Sequence, residues 1–214
     1  MKTKNMNFKA ALFLLLAIAL LISYACSTDV ADSSQSGSLL IVSAIEGQPG
    51  GEGEEAGTPL LSDTCDNDST LPQDPEFCTV FNDNADIEFS NEYLQIGPGA
   101  GFNPTYMNDV IVNQYRIDYV RPNNRNTPGV DVPFGVDGVM NLRVPINSSA
   151  SASILVVRHE AKREPPLAEL DNGTSEGVLT AEAQLQFFGH DIAGHELTAT
   201  GLLEIHWANY GEAQ

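Results

Sequence analysis

Four histidines, two clusters of carboxylates, a basic island and a set of loop aromatics are the side chains whose types and spacing could do chemistry. His190 and His195 flank one turn in GHDIAGHE, with Asp191 and Glu196 beside them; a transition metal could sit there but needs a third ligand. Histidines at the end of a hairpin more commonly lie on a solvated face, and that reading is preferred. Asp66, Asp68, Asp74 and Glu76 form one acidic cluster, and Asp83 and Asp86 in NDNAD form another. Oxygen ligands on alternate loop residues suit Ca²⁺, although the mid-loop glycine and final glutamate of an EF-hand are missing. A solvated acidic surface is the simpler account. Arg158, Lys162 and Arg163 in VVRHEAKREPP are a docking spot for an acidic partner or anionic sugar, or else a strand end and a crossover between sheets. Tyr93, Phe102 and Tyr106 could stack on sugars or pin their own loop. No GxSxG, HExxH, P-loop, GxGxxG or CxxC occurs, and no nucleophile, base and orienting group line up. The expectation is a protein that is not an enzyme and holds no cofactor beyond a candidate Ca²⁺.

The N-terminus gives an address. Lys2, Lys4 and Lys9 precede an apolar run of 16 residues, Ala10 to Ala25, and Cys26 follows at once. This is the pattern of an export signal, and the run is shorter than the roughly 20 residues a spanning helix needs. The segment Ile22 to Cys26 resembles the lipobox of bacterial lipoproteins, with Ala25 and Cys26 matching and Ser23 and Tyr24 departing from it. That resemblance implies acylation of Cys26, a membrane anchor through the lipid, and an exported protein of the outer membrane, periplasmic or surface-exposed, since Ser27 follows the cysteine. A plain cleavage that leaves Cys26 free, or an uncleaved anchor, are the other two outcomes. Residues 26–37, rich in Ser and Asp, read as a flexible tether between a signal at 1–25 and one domain at 38–214.

With Cys26 acylated, Cys65 and Cys78 remain as an even pair in an oxidising compartment, where a disulfide is expected. Removal of Lys2, Lys4 and Lys9 leaves 7 basic against 29 acidic groups, a net charge of −22. Self-repulsion on that scale excludes nucleic acid and anionic membrane surfaces as partners. No Lys or Arg occurs from Cys26 to Tyr115.

The elements that must position these groups read as strands. Period-2 alternation marks Ser38–Glu46, Leu60–Asp63, Cys78–Phe89, Asp109–Arg121, Val130–Pro133, Val139–Pro145 and Ala152–Arg158. The clearest hairpin joins Thr180–Phe188 to Glu196–Trp207, with Ala183, Leu185 and Phe187 inward on the first strand, Leu197, Ala199, Leu203, Ile205 and Trp207 on one face of the second, and Gly194 closing the turn. Seven to eight short strands without an amphipathic helix imply an all-β, antiparallel β-sandwich with long acidic and Gly/Pro loops. The segment FFGHDIAGHELTATGLLEIHW resembles the closing hairpin of bacterial immunoglobulin-like surface domains, which implies an immunoglobulin-like fold and no particular activity. Together these observations favour a non-enzymatic, lipid-anchored module of the cell envelope that contacts a protein or polysaccharide. The alternative is a Ca²⁺-dependent adhesion or carbohydrate-binding domain.

Overall fold

The computed structural model describes residues 36–51, 55–65, 79–94, 103–171 and 177–210. The chain divides into Met1–Gln35 and Ser36–Gln214, and the described residues all belong to the second unit. Its strands are β1 (Ser38–Gln48), β2 (Leu60–Asp63), β3 (Asp83–Tyr93), β4 (Val110–Val120), β5 (Val136–Val144), β6 (Ser148–Val157), β7 (Leu179–Asp191) and β8 (Glu196–Ala208). A 3-10 turn at Tyr106–Asn108 and two one-turn helices, α1 (His159–Lys162) and α2 (Ala168–Asp171), complete the described elements. No helix among the described residues is long and apolar enough to cross a membrane.

The fold is all-β, in two sheets. One has the order β1-β3-β6 and the other β2-β8-β7-β4-β5, the latter curled into a half-barrel. Every ladder is antiparallel except β2 with β8, which is parallel; the expectation of a purely antiparallel sandwich fails there. A four-residue strand reached by a long connection has no hairpin partner, and it docks beside the last strand of the chain instead.

Alternation decides which face each strand buries. In β3, Ala85, Ile87 and Phe89 point inward, and in β7, Ala181, Ala183, Leu185 and Phe187 do the same. The sheets meet where Phe89 and Phe187 stack edge to face with ring centroids 4.8 Å apart. Tyr119 and Trp207 make a second such contact at 5.5 Å. At Gly201 of β8 a Cβ would lie 2.5 Å from Cδ1 of Ile45, so the missing side chain lets β1 lie close over β8.

Strand β4 changes parity along its length. Val110 and Val112 are buried, and after them Tyr115, Ile117 and Tyr119, so the inward set switches from even to odd numbers. The ladder registers to β5 and β7 both shift between Val112 and Gln114. Against β7 Asn113 is the inserted residue of a β-bulge, while against β5 the extra residue lies on β5 between Leu142 and Val139; such irregularities raise local twist, which suits a sheet that curls. Gly189, opposite Val112 on β7, has no room for a Cβ, which would sit 2.4 Å from the Ile111 carbonyl oxygen.

Several boundaries differ from the sequence reading. β3 begins at Asp83, since Val80, Phe81 and Asn82 before it are not in a strand, and it continues to Tyr93; Cys78 lies outside the described residues. Val130–Pro133 is not a strand: the Thr127 carbonyl accepts N–H bonds from Val130, Asp131 and Val132, which winds the segment into a turn. β6 begins at Ser148, because SSASAS pairs with β3 by backbone alone and carries little apolar periodicity. The chain passes from β5 in one sheet to β6 in the other through Asn147, whose φ of 55° is one that Asn tolerates better than most side chains. VVRHEAKREPP enters α1 instead of running straight into a crossover.

Candidate functional site

The sequence-predicted groups are scattered. Cys26, Asp66, Asp68, Asp74, Glu76, Cys78 and Phe102 lie outside the described residues. Cys65 is buried and is not a free thiol. Asp83 and Asp86 do not form a cation loop: both lie on β3, Asp83 inward and Asp86 exposed, since alternate strand positions face opposite ways. The basic island is dismantled as well, because Lys162 turns into the core while Arg163 stays exposed and Arg158 is half-buried. Tyr106 is exposed and Tyr93 half-buried, with Tyr93 packed beside Gly37. Among the described residues no three His, Cys, Asp or Glu side chains are grouped to hold a metal ion.

Lys162 enters a buried polar cluster. Its Nζ donates to Asp83 Oδ1 at 2.9 Å, with both side chains essentially inaccessible to water. Ser62 Oγ donates to Asp83 Oδ2 at 2.6 Å, and the Gly50 N–H donates to Oδ1 at 2.8 Å. Burial holds the Asp83 carboxyl above its usual value, while Lys162, Ser62 and Gly50 pull it back. The cluster ties β3, β2, the loop after β1 and α1 together, and therefore joins the two sheets.

A second polar set caps the opposite end of β3. Asp109 accepts from Arg143 Nε at 3.0 Å and from the Ile146 N–H at 2.9 Å. Asp191 accepts from Ser36 Oγ at 2.7 Å, from His195 Nδ1 at 2.8 Å and from the His195 N–H at 2.8 Å. His195 is thus committed to Asp191 within its own turn, and Ser36 and Gly37 are already bonded into the domain. For both carboxyls burial raises the pKa, but the hydrogen bonds outweigh it: Ile146 and Arg143 lower Asp109, and Ser36 and His195 lower Asp191. A carboxyl depressed in the folded state stabilises it above the ordinary Asp pKa of about 3.9 and loses that contribution as pH falls through the folded value. Thermal melts from pH 6 to pH 2 should therefore show the deficits of Asp109→Asn and Asp191→Asn at their largest above about pH 5 and closing below about pH 3. Deficits that do not change with pH would contradict the assignment.

An open groove lies over the β4 bulge. Because Asn113 is inserted, Asn113 and Gln114 both point outward, side by side. Ladder register sets Val139, Gln114, Phe188 and Thr198 in one row across β5, β4, β7 and β8, and pairs His190 with Glu196 next to it. Asn113, Gln114, Phe188, His190, Glu196 and Thr198 line the groove. Sequence reading singled out only His190 and Glu196, as members of a metal site; the parity switch between Val112 and Tyr115 was the available signal for the rest.

No family of known proteins matches this chain, and no curated protein does. A solved structure described as "X-ray structure of Northeast Structural Genomics Consortium target SoR45" aligns with 8% identity over 83% of this chain and 91% of that one, with a TM-score of 0.35. A similarity that slight bears on no argument here.

Proposed function

We propose that this chain is an exported, lipid-anchored protein of the cell envelope, whose domain is an immunoglobulin-like sandwich that works by contact and not by turnover. The observation that carries the reading is the apolar run Ala10 to Ala25, preceded by lysines and ended by Cys26. The acidic composition, with 7 basic against 29 acidic groups once the leader is removed, supports it by keeping the domain off anionic lipid while the acyl chain holds it near. Two packed sheets, one of them containing the antiparallel β7–β8 hairpin, support the immunoglobulin-like assignment. Burial of Cys65 supports a Cys65–Cys78 disulfide, a closure worth about 3 kcal/mol by chain-entropy reasoning.

Mass spectrometry of the native N-terminus tests the reading directly. It should find Cys26 as the first residue, carrying fatty acyl groups, and Cys26→Ala should move the protein out of the membrane fraction. An unprocessed chain recovered from the cytosol with Cys65 and Cys78 reduced would end the proposal.

A further inference from the structure

We infer that the groove over the β4 bulge binds a neutral carbohydrate chain. The inference rests on the export reading in one respect, that envelope polysaccharides lie outside the cytoplasm. A pyranose ring offers an apolar C–H face and a rim of hydroxyls that both donate and accept, and the groove offers the complement. Phe188 is half-buried on the outward face of β7, so part of its ring is held and part presented. Asn113 and Gln114 stand beside it as adjacent amides, each able to donate and accept at once. Thr198 adds a hydroxyl on the far side of Phe188, and the Glu196 carboxylate lies across from His190.

The bulge is what makes this set. In a regular strand Asn113 and Gln114 would face opposite ways, and one would be buried under the sheet. Room for β7 at the bulge depends on Gly189 having no side chain. Bulges of this kind recur where a sheet re-aims side chains toward a ligand.

Shape and charge set the ligand class. The groove lining crosses three strands, β4, β7 and β8, about 10 Å at the usual spacing of about 4.8 Å, and beside Gln114 the row continues onto the exposed Val139 of β5. A trough of that length suits a chain better than a single sugar. Seven basic against 29 acidic groups repel a polyanion, and the lining itself holds no Lys or Arg to receive one.

Affinity electrophoresis of the detergent-solubilised full chain tests this, in gels containing a neutral β-glucan, a neutral galactomannan or anionic polygalacturonate. Retardation is expected in a neutral gel and not in polygalacturonate. Gln114→Ala and Phe188→Ala should each weaken it at least about fivefold with an unchanged unfolding midpoint, as loss of one stacking or hydrogen-bonding partner predicts. Tyr106→Ala, outside the groove, should leave it unchanged. No retardation in either neutral gel, retardation confined to polygalacturonate, or retardation indifferent to both groove variants would overturn the site. Cell fractionation reads separately: a cytosolic chain that still binds glucan would sink the export reading and leave the groove standing.

Discussion

Lys162→Met should destabilise the domain by about 3–5 kcal/mol in urea unfolding, one of the largest effects of any single substitution here. The reason is what it leaves behind. Asp83 has no exposed surface, and the Lys162 ammonium at 2.9 Å is its only ionic partner among the described contacts. Without it a carboxylate must stay buried on two hydrogen bonds, from Ser62 and Gly50, or take up a proton. Protonation is the easier route, so the folded-state pKa of Asp83 rises further above the unfolded value. A raised carboxyl stabilises the fold below its unfolded pKa and loses that contribution as pH rises, so the variant's deficit should grow between about pH 5 and pH 8. Adding Asp83→Asn to Lys162→Met removes the charge but keeps an acceptor for Gly50, and should restore most of the loss. A Lys162→Met variant within about 1 kcal/mol of the native chain, or a double variant no better than the single, would show that the pair does not join the sheets as described.

Phe187→Ala should lose about 3–5 kcal/mol as well, by a different mechanism. Phe187 is fully buried and meets Phe89 of the other sheet edge to face at 4.8 Å, so truncation opens a cavity between two sheets whose strands are each fixed in register by their own backbone ladders. Such a void closes poorly, because neither sheet can sag without breaking register. The adjacent Phe188 is an internal control. It points to the outer face, and Phe188→Ala should shift stability by no more than about 0.5 kcal/mol. Equal losses at the two positions in matched urea titrations would refute the assignment of inside and outside on β7.

That contrast shows what could be read in the sequence and what could not. The hairpin of β7 and β8 was legible because apolar residues at every second position sit between turn residues, and Gly194 takes the positive φ the turn requires. β4 was legible from Tyr115 onward for the same reason. Strands held mainly by backbone pairing were not: Ser148–Ser151 bury little, so their side chains carry no period. Polar residues were the least legible. Asp83 and Lys162 appear as ordinary surface charges until the fold brings them together, 79 positions apart, and a single strand cannot announce a partner that distant. The groove lay in a violation of pattern, one residue too many between Val112 and Tyr115, which period-matching discards as noise.

The parallel pairing of β2 with β8 also constrains when the molecule can take shape. Leu60 aligns with Ile205, and Asp63 receives the backbone N–H of Tyr210 from 147 positions away. The second strand to be synthesised therefore waits for the eighth before it has anywhere to lie, and loop closure over such a span is entropically slow. A nascent chain that lacks β8 has neither the partner of β2 nor the surface on which β1 rests. Until that final segment is in place β2 has no ladder among the described residues, so the pairing of the two ends of the domain comes late in folding.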